Sequence, residues 1–341
     1  MYQCYNALMN VSRYLTNSDS IREPASEEFE LAKNILTNNL AHQPGSNLFI
    51  VTVPEMLQEE SALWFETAKK LGSQVKLAVL TDMTHSGEEP PREIIDQVAL
   101  ADTIMFQTVH SLTHTRAGKE VKIQAKRGAS LPGADYELIM RTLSIDYTPV
   151  KELGEKVKTA LQEHETINIF STAGTKLTAK IRPDLVTNDS GFFAAGEIGN
   201  LPAGEVFFPP VLGSANGTVV IDGSIADDIL DSPITLEIKD GKITSFKGGT
   251  AAAYLEKKLT QFGEGGITMA EIGIGTNKAA NISQNLLEAE KAYGTVHIAF
   301  GNSSAMGGEI DVPIHIDGLV AEPIIKLDAI TILENKIFNL T

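Results

Sequence analysis

The hydrophobic pattern of this chain changes period near residue 165, and that change limits the fold more than any other feature. From about residue 45 to 165, short β-rich apolar runs alternate with longer stretches of helical period. Residues 47–53 form the first run, and Pro54 then opens a helix through Lys70 on which Leu63, Phe65, Ala68 and Leu71 share a face. Residues 75–80 and 103–109 read as two more strands, each followed by helix-like sequence. Alternation of this kind gives a largely parallel sheet with helices on both faces. Residues 1–44 read as a helical arm.

Beyond residue 165 the strands are short and separated by Gly, Asn and Asp. Residues 234–238 and 242–246 flank Lys239-Asp240-Gly241, a hairpin signal because glycine accepts positive φ. Segments 219–222, 267–272, 295–300, 314–316 and 330–333 continue the series, with one clear helix at 282–293. The expected architecture is therefore an α/β N-terminal domain (1–165, Rossmann-like, largely parallel sheet) and a mainly β (α+β), metal-binding, catalytic C-terminal domain (166–341).

With 341 residues and 43% hydrophobic composition, each domain can build a core of its own. The single cysteine, Cys4, excludes an intramolecular disulfide and cysteine-based zinc sites, and it points to a reducing, cytoplasmic location. No secretory leader and no membrane-length apolar run is visible. A net charge of −16 without a block of Lys or Arg argues against a nucleic-acid partner.

Two strands carry polar residues that an ordinary core strand would not. In Val296-His297-Ile298-Ala299-Phe300, alternation turns His297 and Ala299 away from the apolar face. In Ile314-His315-Ile316-Asp317, His315 and Asp317 lie two apart on one face and can grip one ion together. Glu205, ahead of Val206-Phe207-Phe208, and Glu271, ahead of Ile272, are carboxylates among apolar neighbours, where a nearby cation offsets the cost of burial. Three carboxylates and two imidazoles suit one or two divalent ions, with Glu271 or Asp317 able to bridge a pair.

Four runs resemble, in order, the signature of the aminopeptidase T / AmpS / PepS family of metallopeptidases: residues 200–206, 271–277, 294–301 and 314–317. The resemblance implies a cytosolic homodimeric aminopeptidase that removes N-terminal residues from peptides. It implies a metal site of Glu205, Glu271, His297, His315 and Asp317 holding one or two Zn, Co or Mn ions, with Glu271 bridging the metals or relaying a proton. Those peptidases carry a site tyrosine about seven residues beyond the histidine matching His297; this chain has Ser304 there, so a phenol that could support an oxyanion is missing. The related 2,5-dihydroxypyridine dioxygenases offer an alternative: a single Fe(II) held by two histidines and a carboxylate, which His315, Asp317 and a further imidazole would fit, although Glu271 keeps the peptidase-type acid. A noncatalytic metal-binding homologue is a third reading.

His110, His114 and Arg116 follow the third strand at the carboxyl edge where open sheets bind ligands, and with Ser304 they are the expected substrate-binding residues for a peptide or small molecule. A polar helix start capped by Ser111 or Thr113 explains the same segment. Gly273-Ile274-Gly275 lacks the remaining elements of a nucleotide-binding loop. Asp222, Asp227 and Asp228 read as a surface cluster.

Overall fold

A computed structural model of the chain describes residues 10–16, 21–225 and 230–340, so Cys4, Asp227 and Asp228 lie outside the described residues. The chain divides into two compact units. One takes the chain up to Tyr147 together with Gly191–Pro202, and the other takes Thr148–Ser190 with Ala203 onward. The division is thus two crossings of the chain rather than one cut near 165.

The first unit is built on a six-stranded sheet in the order Asn10–Leu15, Gln74–Thr81, Asn47–Thr52, Thr103–Gln107, Arg127–Ser130 and Glu197–Asn200. The last five run parallel, and Asn10–Leu15 pairs antiparallel with Gln74–Thr81. The parallel part is therefore doubly wound, with its reversal of strand order between Asn47–Thr52 and Thr103–Gln107. Helix Glu60–Lys70 follows a short 3-10 turn at Pro54–Met56; Leu63, Trp64, Phe65 and Ala68 are all fully buried, so it is covered on more than one face.

The expected helical arm is corrected here. Residues 10–15 form an edge strand, and among the described residues of this segment only Ser26–Asn34, continued by a π-turn through Asn39, is helical. Leu31, Ala32, Ile35, Leu36 and Leu40 are buried, so this helix belongs to the core of its unit.

The second unit holds two antiparallel sheets. One has five strands in the order His315–Val320, Val296–Gly301, Met269–Gly275, Glu205–Phe208 and Thr187–Asp189. The other has eight, running from Lys242–Lys247 through Ile234–Lys239, Asn216–Ile221, Lys176–Lys180, Thr166–Ser171, Pro323–Leu327 and Ile330–Glu334 to Ile337–Phe338. Val206, Phe208, Ile272, Ile274, Ile298 and Phe300 from the first sheet share a core with Ile167, Leu177, Val219, Leu236, Ile325 and Leu333 from the second. Asp240 and Gly241 take φ of 50° and 78°, the paired positive values that a two-residue hairpin needs to match strand twist.

The expected helix at 282–293 is reduced to Leu286–Ala289. The backbone that would continue it is taken by strand ends: Asn277 N–H donates to Lys291 O, Tyr293 N–H to Asn277 O and Gly294 N–H to Gly275 O. The longer helix, Thr250–Thr260, escapes the sequence pattern because its N-terminus is capped from a distance. Asp231 accepts from the backbone of Thr250 and Ala251 at 2.8 and 3.2 Å. Among the described residues no helix is long and apolar enough to cross a membrane.

Candidate metal centre

Register in the five-stranded sheet puts the polar residues on one face. Glu271 lies opposite Ala299, Ala299 opposite Asp317, Gly273 opposite His297, and Glu205 opposite Gly275. Opposed residues in an antiparallel pair point the same way, so Glu205, Glu271, His297, His315 and Asp317 project together, away from the core that Val206, Ile272, Ile274, Val296, Ile298 and Phe300 fill.

Two three-donor groups result, and Glu271 belongs to both. Glu205, Glu271 and His297 offer ligand atoms within 4.8 Å of one another, as do Glu271, His315 and Asp317. His297 Nε2 stands 3.3 Å from Glu205 Oε2 and 3.4 Å from Glu271 Oε1. His315 Nε2 stands 3.3 Å from the other Glu271 oxygen and 3.5 Å from Asp317 Oδ2. Donors that each sit ~2.1 Å from one ion are separated by roughly 3.0–3.4 Å, so these spacings suit donors converging on a metal better than a close hydrogen-bond network. Among the described residues the buried Glu205 Oε2 has no hydrogen-bond partner, as expected of an atom kept for a cation. The residues therefore fit a divalent ion.

The group that contains His315 and Asp317 has Glu271 as its third member. It supplies one imidazole and two carboxylates rather than two imidazoles and one carboxylate, since His297 belongs to the other group.

Three residues that sequence reading passed over hold these donors in place. Lys291, only 1% exposed, sets Nζ 2.6 Å from Glu205 Oε1 and 2.5 Å from Glu290 Oε1. Asn302 accepts at its backbone carbonyl from His315 Nδ1–H at 2.7 Å, which turns Nε2 toward Glu271 and Asp317. Gly273 leaves the space that the His297 imidazole occupies: a Cβ there would lie 2.0 Å from Cε1 and Nε2. None carries a distinct signal. Glu290-Lys291 looks like a solvated pair, the Asn302 contact is backbone, and Gly273 resembles any strand glycine.

Burial and charge oppose one another throughout the centre. Burial pushes the Glu205 carboxyl up, and the Lys291 ammonium works against that rise. Burial also works against charge on Lys291, but Glu205 and Glu290 outweigh it and hold the ammonium firmly protonated. In His297, burial is likewise outweighed by the hydrogen bond to Glu271 and the fields of Glu205, Glu271 and Glu290, which raise it to about 9. For His315, the same opposition is won chiefly by Asp317, with Glu271 adding to the rise. Glu271 is held well below the carboxylate range, since the two imidazoles overcome its burial. Both histidines are thus raised toward protonation, and a dication held by His315 would displace the proton at its Nε2.

Ser304 is exposed at the start of the short turn Ser304–Met306, and its Oγ–H donates to Asn302 Oδ1 at 2.9 Å. It supports the residue that orients His315. In the first unit, His110 and His114 lie on the loop after Thr103–Gln107, and Arg116 opens helix Arg116–Ile123. Thr115 caps that helix, accepting from Gly118 N–H, in place of the expected Ser111 or Thr113. Arg116 lies 4.0 Å from Glu89.

Residues 37–338 match the family described as NicX, 2,5-dihydroxypyridine 5,6-dioxygenase. A curated relative, the 2,5-dihydroxypyridine 5,6-dioxygenase of Pseudomonas putida KT2440, is 27% identical over 177 residues, covering 47% of this chain. That alignment spans about half of the relative's own length, 50%. Among solved structures, the 2,5-dihydroxypyridine dioxygenase of Pseudomonas putida KT2440 superposes with a TM-score of 0.76 at 19% identity, over 92% of this chain and 98% of that one. Wild-type AmpT from Thermus thermophilus superposes with a TM-score of 0.60 at 15% identity, over 88% and 94%. At these identities the structures speak to fold alone, and both pair an α/β domain with a β-rich one.

The family match overturns the aminopeptidase expectation. The hydrolase, aminopeptidase and protease readings, with the peptide substrate they implied, give way to the dioxygenase family first considered as the alternative. The ordered motifs misled because they follow the fold, and a shared fold does not fix the reaction.

Proposed function

Because the chain belongs to the 2,5-dihydroxypyridine 5,6-dioxygenase family, we propose that it is a metal-dependent ring-cleaving dioxygenase acting on a small dihydroxylated aromatic ring, with iron(II) as its metal. The observation that carries this reading is the match over residues 37–338, which includes every residue of the metal centre.

His315, Asp317 and Glu271 are the proposed protein ligands. Three donors from one sheet face would hold the ion while leaving it open to oxygen and substrate, and an imidazole with two carboxylates suits Fe(II) or Mn(II). When bound, the metal supplies the electron transfer by which O2 adds to an electron-rich ring. The chain's own part is placement. Asn302 fixes the His315 tautomer by taking the Nδ1 proton, so Nε2 is the coordinating atom. His297 Nε2 donates to Glu271 Oε1 at 3.4 Å, which steadies the Glu271 carboxylate at the oxygen that does not face His315. Burial of Glu205, Glu271, His297 and Lys291 keeps water from this side of the centre.

The test is oxygen uptake by protein loaded anaerobically with Fe(II), or separately with Mn(II), and given 2,5-dihydroxypyridine and related dihydroxylated rings. A 5,6-dioxygenase places both atoms of O2 across the C5–C6 bond, so oxygen uptake and ring loss run in equal amounts. His315→Ala abolishes both. Metal-loaded protein that consumes no oxygen with any such ring overturns the reading.

A further inference from the structure

The parallel sheet of the first unit reverses its strand order between Asn47–Thr52 and Thr103–Gln107, and open sheets of this kind take ligands outside the carboxyl ends of their strands at such a reversal. A cleft of about 170 Å³ lies there. Val53 and Glu55 line it from the end of Asn47–Thr52, Leu80, Asp82 and Met83 from the end of Gln74–Thr81, and Val109 from the end of Thr103–Gln107. His110, His114 and Arg116, which the sequence sets at the same edge, take no part in the lining.

The usual occupant of this position is an anion, held by backbone N–H groups at a glycine-rich turn and by the N-terminus of the following helix. The residues here are wrong for one. Pro54 has no N–H to give, Glu55 follows it, and helix Glu60–Lys70 begins with Glu59 and Glu60. No basic side chain lines the cleft to offset Glu55 and Asp82, so the local field attracts a positive group and repels a negative one. Thr81 Oγ1–H donates to Asp82 Oδ2 at 2.9 Å and holds that carboxylate in place.

The walls are apolar and fixed. Val53 and Leu80 are buried members of the core on this face of the sheet, and Met83 packs against the same core. Val109 is 39% exposed, an apolar side chain left facing solvent beside the cleft. An apolar space of ~150 Å³ accepts a benzene-sized ring, and a thioether such as that of Met83 makes favourable contact with a ring edge.

We propose that this cleft binds a single-ring organic cation, with the ring against Val53, Leu80, Met83 and Val109 and the positive group beside Glu55 and Asp82. The site lies wholly within the first unit and is independent of the metal centre. It gives the protein a second ligand, of a charge opposite to that expected at this edge of a doubly wound sheet.

Isothermal titration of the full chain with benzylamine, which carries an ammonium at neutral pH, tests the inference, with benzyl alcohol and benzoate as its neutral and anionic counterparts. Benzylammonium is expected to bind about tenfold more tightly than benzyl alcohol, and benzoate not to bind. Asp82→Asn removes a charge and keeps the backbone, because asparagine also accepts the left-handed φ of 67° found there. It weakens benzylammonium roughly fivefold and leaves benzyl alcohol unchanged. Val109→Arg puts a guanidinium into the cleft and abolishes binding, whereas His315→Ala leaves the affinity as it was. Circular dichroism identifies any variant that does not fold, and the ratio of amine to alcohol in the wild type then decides alone. Four results overturn the inference: no saturable binding, equal affinity for amine and alcohol, a benzylammonium affinity unchanged in folded Asp82→Asn or Val109→Arg, or binding lost in folded His315→Ala, which would place the cation at the metal centre.

Discussion

Gly273 faces His297 across one pair of strands in the five-stranded sheet, and the imidazole fills the space where any larger residue would place its Cβ. The added atom would meet Cε1 and Nε2 at 2.0 Å, well inside contact distance. Gly273→Ala is expected to displace the ring and to destabilise the protein by about 1–3 kcal/mol, the usual cost of overpacking a filled site. Because His297 steadies Glu271, metal affinity falls as well. Thermal melts with and without metal measure both effects, and an unchanged Tm and metal affinity would mean the ring has room to move.

Asn302 presents the carbonyl that orients His315, and its own side chain holds the loop in position by donating to Val312 O at 2.9 Å and Asp311 Oδ1 at 3.2 Å. Asn302→Ala keeps the carbonyl but loosens the segment that carries it. Metal affinity is expected to drop roughly 10–100-fold, as for other residues that orient a ligand, with little change in the fold. Competition with a chelator of known affinity reads the change directly. Ser304→Ala, which removes one bond to Asn302, gives a smaller loss in the same direction.

Removing the metal should lower stability. In its absence Glu271 lies in one donor group with Glu205 and in another with Asp317, and these carboxylates have only His297, His315 and Lys291 to offset them. Metal held at ~1,000 times its dissociation constant adds about 4 kcal/mol to folding stability. A chelator is therefore expected to lower Tm by several degrees, and the shift should vanish in His315→Ala.

A pH effect arises in the first unit. Glu28 accepts from Arg22 at 2.6 and 2.8 Å and from the Tyr136 hydroxyl at 2.6 Å. Hydrogen bonding to Arg22, added to by Tyr136 and the Ala25 amide, outweighs burial and lowers its pKa from 4.5 to about 2. A carboxyl depressed on folding stabilises the protein above its unfolded pKa and loses that contribution as pH falls toward the folded value. With Arg22 partly solvated, the contribution is about 1–2 kcal/mol. Glu28→Gln should therefore lower stability at pH 7 and flatten its decline between pH 4.5 and 2, as measured by urea denaturation at each pH.

How much of this was open to sequence reading depends on whether the deciding interaction is local. The α/β and β-rich halves, the Asp240-Gly241 turn and the one-sided placement of His297, His315 and Asp317 all follow from period and residue type, which adjacent residues carry. The strand at 10–15 was read as helix because its partner is Gln74–Thr81, far along the chain. Thr250–Thr260 was missed because its cap is Asp231.

The sequence by itself determined the one-sided placement of His297, His315 and Asp317 on apolar strands and put Glu205 and Glu271 among apolar neighbours. Only the tertiary structure decided how they are shared: Glu271 between two groups, His297 with Glu205, His315 with Asp317, and Lys291 buried against Glu205. That division depends on strand register and on the backbone ties from Asn277 to the loop around Lys291. Both are long-range pairings that put a charged residue of solvated appearance into the interior, where its charge must be balanced by whatever the fold places beside it.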